Sequence, residues 1–122
     1  MNNITSLKEN ELFVFGSNLA GKHIGGAARQ AKEMFGAIDG CGEGLTGKSY
    51  AFPTLTENFE KVTHEQLIDS VSRLYRCCEE NKDKVFLLTK VGCGIAGFEE
   101  EYIKYLFLNS PKNLILPDDW NY

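Results

Sequence analysis

The chain has 122 residues, 43% of them hydrophobic and 25% charged, with a formal net charge of −4. That length fits one domain over 1–122 with a single buried core, and a composition so close to the globular average excludes extended disorder, leaving only the first and last few residues as candidates for it. The acidic balance excludes a broad basic footprint for duplex nucleic acid, and no apolar run approaches the roughly 18 residues that a membrane span needs; a phosphorylated small molecule stays open, because backbone N–H groups hold phosphate without any lysine.

Leu12–Phe15 (LFVF) is a short apolar run ending at Gly16, which reads as a buried parallel strand. A glycine-rich turn follows through Gly16, Gly21, Gly25 and Gly26. Ala27–Phe35 then turns helical, with Ala27, Ala28, Ala31, Met34 and Phe35 recurring at three- and four-residue steps, and Gly36 is its stop. Residues 36–48 carry five glycines and read as a loop. Ser49–Phe52 is a second short strand, ended by Pro53. Thr63–Glu80 is an amphipathic helix with Thr63 at its N-cap and Gln66 completing a capping box; Leu67, Ile68, Val71, Leu74, Tyr75 and Cys78 form its expected inner stripe. Val85–Leu88 (VFLL) is the clearest buried strand. It leads through Thr89–Val91 into a second glycine loop, Gly92–Phe98. Glu99–Leu108 is a further helix, and Leu114–Leu116 a last strand stopped by Pro117. Trp120 and Tyr122 beyond it suit either packing on the sheet edge or contact with a partner chain.

Strands alternating with helices predict an α/β fold with a mostly parallel mixed sheet and helices on both faces. In such sheets ligands lie outside the carboxyl ends of the strands. Both glycine loops leave strands at that end, so they are expected side by side. Cys41, Cys77, Cys78 and Cys93 show no CxxC spacing, and the first residues show no basic and then apolar leader. Reduced thiols in a cytoplasmic protein are the expectation, with no metal site and no cofactor called for.

Three stretches could carry chemistry. In Phe15–Ala28, Asn18 follows the strand and offers a donor and an acceptor suited to ribose hydroxyls. Gly25 and Gly26 expose N–H groups at the positive end of the next helix. A plain strand-to-helix turn would use the same glycines, and the spacing is not that of a Rossmann fingerprint. In Val91–Phe98, three glycines between a buried strand and a helix can wrap a diphosphate with amides. Glu99, Glu100 and Glu101 read as carboxylates complementing that helix's dipole. Gly42–Ser49 touches on the Walker pattern but lacks its spacing and its helix, which leaves Lys48 as a surface lysine. Cys93 sits in the second loop, and His23 in the first is the candidate base for it. A small buried thiol lining the loop is the simpler reading.

Taken together, the two loops resemble a macrodomain. Val14–Asn18 stands where macrodomains carry a strand ending in an N-A-A-N-like turn, with Gly25-Gly26-Ala27 at the helix entry. Gly92–Phe98 matches the length of a loop like S-T-G-I-F-G-F, with Gly94, Ile95, Gly97 and Phe98 identical. The resemblance covers about Leu12 to Leu116. It is greatest to the short branch that includes the terminal-ADP-ribose glycohydrolases, which share a G-C-G in the second loop, and to small macrodomain-like proteins of bacteria and their phages. It implies a three-layer macrodomain-like fold and an ADP-ribose-like nucleotide as partner. The implied ligand-binding residues are Gly16, Ser17, Asn18, Gly25, Gly26, Ala27 and Thr54 on one side, and Gly92, Cys93, Gly94, Ile95, Ala96, Gly97 and Phe98 on the other. Asn18 would meet the distal ribose, both loops would wrap the diphosphate, and Phe98 would pack on the distal ribose or near the adenine.

The chain departs from that branch where chemistry is done. Ala96 stands where the glycohydrolases place an aspartate, and Phe52-Pro53-Thr54-Leu55 stands where they place a lysine. A methyl group cannot do acid–base work. The expectation is therefore binding, with possible sequestration of a signalling nucleotide. A hydrolase using Asn18 and His23 is the alternative, and a protein-interaction scaffold the third reading.

Overall fold

A computed structural model describes residues 4–122. Residues 1–3, on which the expected N-terminal disorder falls in part, lie outside the described residues. The elements run β1 (Glu11–Asn18), α1 (Gly26–Met34), β2 (Gly44–Thr46), β3 (Ser49–Leu55), α2 (His64–Glu80), β4 (Val85–Leu88), α3 (Glu100–Leu106) and β5 (Leu114–Ile115). One five-stranded sheet has the order β2-β3-β1-β4-β5. The β3, β1, β4 and β5 strands are parallel and β2 is antiparallel at one edge, so the expected α/β fold with a mixed, mostly parallel sheet is the one observed.

The central strand explains the layering. Side chains alternate across a strand. Phe13 and Phe15 pack with Ala28, Ala31 and Phe35 of the α1 region. Leu12 and Val14 pack in a larger cluster with Leu67, Val71 and Leu74 of α2 and with Ile103 and Phe107 at α3. The helices therefore cover the sheet from both sides, α1 on one and α2 with α3 on the other. The small side chains of Ala28 and Ala31, both buried, let α1 lie close to β1.

The chain departs from its expected elements in ways that local physics explains. Pro53 does not end β3; the strand continues to Leu55. The Phe13 N–H donates to the Lys48 carbonyl, so by alternation Tyr50 and Phe52 face β1 and Pro53 faces away from it. The β2 strand pairs only with Ser49–Ala51, so no neighbour asks Pro53 for an N–H. Within the expected 36–48 loop, Gly44–Thr46 forms β2. Two residues expected in helix stripes are exposed, Met34 at 54% and Ile68 at 42%; on α2 the buried line runs through Leu67, Ser70, Val71, Leu74 and Cys78 instead. The α3 helix stops at Leu106, before the expected Leu108.

The C-terminal segment is anchored at Trp120 and by the Tyr122 hydroxyl. Trp120 is 6% exposed and lies 6.1 Å, centroid to centroid, from Phe107. Its Nε1–H donates to Glu100 Oε2 at 2.9 Å, and the Tyr122 hydroxyl donates to the Lys104 carbonyl at 2.6 Å. Among the described residues, no helix is long and apolar enough to cross a membrane.

The capping box is present as expected: Gln66 N–H donates to Thr63 Oγ1 at 3.1 Å and Thr63 N–H to Gln66 Oε1 at 2.7 Å. Thr63→Ala removes the first of these bonds and should cost about 1 kcal/mol of stability. Urea unfolding checks it, and an unchanged midpoint would mean the cap is not coupled to the fold.

Candidate functional site

Three strand ends converge on one hollow. The β1 connection crosses to the α1 face, while β3 and β4 lead to helices on the opposite face. Adjacent loops that part in this way open a crevice between them. Register deepens it: β4 pairs with β1 only as far as Val14↔Leu88, while β1 runs on to Asn18. The hollow is a cavity of about 380 Å³ lined by the end of β1, the start of α1, Thr54 and Leu55 of β3, Phe59, and Thr89–Gly92 with Gly94–Ala96. That volume lies within the range of small-molecule sites, roughly 300–1,000 Å³.

The two glycine loops lie side by side, as the topology predicts. A Cβ on Gly16 would stand 3.2 Å from Gly92 N, and one on Gly25 would stand 3.2 Å from Ile95 Cδ1. Gly92 has φ +77°, and a side chain there would press on Phe98 at 3.1 Å and Thr54 at 3.2 Å. Only glycine fills that position without strain.

The polar side chains at the end of β1 are committed to the protein's own backbone. Asn18 donates Nδ2–H to the Lys22 carbonyl at 2.8 Å and accepts from the Lys22 N–H at 3.0 Å. Ser17 Oγ donates to the Gly42 carbonyl at 2.6 Å, and Thr54 Oγ1 donates to the Ser17 carbonyl at 3.3 Å. These groups hold the loops in place, and Asn18 is a clasp for the Lys22 turn before it is anything else.

The backbone amides are the opposite case. The N-cap of α1 is Gly25, which has no side chain to accept, and the first turn holds no acidic residue. The first intrahelical bond is Arg29 N–H to the Gly25 carbonyl. In the second loop the N–H groups of Cys93, Gly97 and Phe98 donate to the carbonyls of Lys90, Gly94 and Gly92. Among the described residues, the N–H groups of Gly26, Ala27, Ala28, Gly94, Ile95 and Ala96 have no protein acceptor. All six residues line the cavity. Donors without a protein acceptor on both loops, with a helix dipole behind one set, are the kind of arrangement that can hold an anion.

The charges agree with this. The lining contains two lysines, Lys22 and Lys90, and no carboxylate or imidazole, although the chain as a whole is acidic. Lys90 Nζ pairs with Asp119 Oδ2 at 2.8 Å and Glu100 Oε2 at 3.1 Å, and these carboxylates, Asp119 foremost, raise its pKa. Lys22 makes no ion pair among the described residues and lies over the Phe59 ring, 5.9 Å from its centroid.

No family model, curated protein or solved structure matches the chain.

Of the expected site residues, Gly16, Ser17, Asn18, Gly25, Gly26, Ala27, Thr54, Gly92, Gly94, Ile95 and Ala96 line the cavity; Cys93, Gly97, Phe98 and His23 do not. His23 is 1% exposed, donates Nε2–H to the Ile38 carbonyl at 3.0 Å and stands edge-on to Phe15 at 5.1 Å. It belongs to the α1 side of the sheet and is no catalytic base for the cavity. Phe98 packs beneath the loop, stacked on Tyr102 at 6.0 Å with Lys61 Nζ 5.0 Å from its centroid. Gly97 turns its carbonyl to Lys61 Nζ at 3.1 Å. Cys93 packs against the α2–α3 core, so the Cys93–His23 pairing is not formed. Lys22, Phe59, Thr89 and Lys90 line the cavity unforeseen. An aromatic residue within the polar stretch Thr56–Lys61 was the available signal for Phe59.

Burial pushes the Cys93 thiol up to about 11, with Glu100 adding to the effect. The folded thiol therefore keeps its proton at pH values where an unfolded cysteine, with a pKa of about 8.5, has lost it. Alkylation of Cys93 by iodoacetamide, followed by peptide mapping, should stay slow through mildly alkaline pH and speed up only near pH 11, whereas urea should bring the rise down to about 8.5. Rapid labelling of Cys93 in the folded chain at neutral pH would contradict this burial.

Proposed function

We propose that this chain binds ADP-ribose or a related ADP-ribosyl nucleotide in the cavity, using a macrodomain-like arrangement of three layers, as a cytoplasmic protein. One observation carries the reading: residues of two separate loops whose N–H groups have no acceptor among the described residues line one cavity. A diphosphate needs several donors around a compact anionic group, and backbone N–H groups supply them without a flexible side chain to order. Lys22, which makes no ion pair among the described residues, adds positive charge at the same cavity, whereas the charge of Lys90 is offset by Asp119 and Glu100. A bulky protein surface needs no such cradle, which favours a nucleotide over the scaffold reading.

Binding is favoured over cleavage for a chemical reason. The cavity wall offers lysines, hydroxyls, the Asn18 amide and backbone, but no carboxylate or imidazole to move a proton near neutral pH. The family resemblance points the same way, since Ala96 stands at the acid's position.

Calorimetry tests the reading. ADP-ribose should give saturable heat near one-to-one stoichiometry, and mass spectrometry should recover it unchanged. A Cβ on Gly94 meets nothing within 4 Å, so Gly94→Glu should fold normally and place a carboxylate beside the orphan amides. Its affinity should fall at least tenfold, a loss of about 1.4 kcal/mol, while Gly94→Ala should bind nearly as the wild type does. No heat from the wild type, or full affinity in Gly94→Glu, would overturn the assignment.

A further inference from the structure

The turn between β3 and α2 carries a residue that the fold does not ask for. It is tightly held: Leu55 bridges Lys61, the Thr56 N–H donates to the Glu60 carbonyl at 2.7 Å, and the Phe59 N–H donates to the Thr56 carbonyl at 3.0 Å. Thr56 Oγ1 accepts from the N–H groups of Asn58 at 3.2 Å and Glu60 at 3.3 Å. These bonds set Phe59 in the left-handed region, at φ +62°. Glycine or asparagine takes that conformation readily, whereas a bulky side chain takes it at a cost. Phe59 gains no place in the core in return, since it is 46% exposed and belongs to neither core cluster. Its ring lies instead on the cavity wall, with the Lys22 ammonium over it.

We propose that Phe59 is the stacking platform for the flat ring of the ligand, with Lys22 serving the ligand's anionic group. The inference rests on reading the cavity as a nucleotide site, and it adds which residue tells a nucleotide from a bare phosphate. An aromatic face and a cation at one mouth match a ligand that joins a planar heteroaromatic base to a phosphate. Stacking on an aromatic side chain is strong and tolerant of base identity. The ammonium rests on the ring at 5.9 Å, an attraction worth little at an exposed site. Its long stem lets it yield the ring face to an incoming base and follow the phosphate. The strained turn then has a purpose: it holds a ring out from the fold at a fixed place beside the amide cradle.

The test compares ADP-ribose with inorganic pyrophosphate, by calorimetry, on the wild type, Phe59→Ala and Phe59→Trp. Phe59→Ala should weaken ADP-ribose about tenfold or more and leave pyrophosphate unchanged, while Phe59→Trp should keep ADP-ribose affinity. Matching thermal unfolding of the three proteins establishes that each is folded, as the exposed position leads one to expect. Equal ADP-ribose affinity in the wild type and Phe59→Ala overturns the platform and leaves the nucleotide reading standing. An equal loss for both probes also overturns it, because the residue would then be shaping the anion cradle. A wild type that binds neither probe overturns both readings together.

Discussion

Backbone N–H groups must be satisfied, and this chain leaves a set of them without protein partners where two loops face each other. That constraint organises the rest. The loops meet because β1 lies at the centre of the sheet and hands its connection to the α1 face, while its neighbours β3 and β4 hand theirs to the other. Placing Gly25 at the N-cap of α1 removes the acceptor that serine or aspartate would supply there, so the first-turn donors stay available. Glycines at the contact between the loops, Gly16 and Gly92 above all, let the two walls approach without side chains between them. The same donors would be a liability in a sealed core; in an open cavity they are what the proposed nucleotide site would use to hold an anion.

Side-chain polarity serves a different purpose. Asn18, Ser17 and Thr54 look like ligand-binding groups by residue type, yet their hydrogen bonds run to carbonyls and N–H groups of the protein. They keep the β1 end, the Lys22 turn and β3 in register, so that the amide cradle is formed before anything enters it. Lys90 is restrained in the same spirit. Its ammonium is shared by Glu100 at the start of α3 and Asp119 in the C-terminal segment, and that segment is pinned by Trp120 on Phe107. The C-terminal residues thereby reach the cavity through one ion pair. Lys22 has no such restraint and shares its mouth of the cavity with Phe59.

Much of this was legible in the residues, for physical reasons that can be named. VFLL and LFVF are apolar on both faces, which only a strand covered on both sides can use, and both are central strands. Thr63 and Gln66 announce a helix start through bonds only a few residues apart. The convergence of the loops follows from strands that alternate with helices through right-handed crossovers, with both loops leaving strands at their carboxyl ends. The misses share a cause as well. Pro53 reads as a stop because the sequence does not show on which side of β3 it faces. The β2 strand is short and glycine-bordered, and its pairing with β3 is a tertiary matter. His23 stands among the glycines of the first loop but turns into the core against Phe15. Phe59 lies in a polar turn, where its conformation and its place on the cavity wall depend on the hydrogen bonds around Thr56.

The most direct test of the account follows the amides themselves. In the nitrogen-15-labelled chain titrated with ADP-ribose, the backbone N–H resonances of Gly26, Ala27 and Ala28 should move together with those of Gly94, Ile95 and Ala96. Both sets should saturate along one curve, because one diphosphate satisfies both walls. Resonances that move in only one loop, or in neither while the ligand binds elsewhere, would contradict the shared cradle on which the account depends.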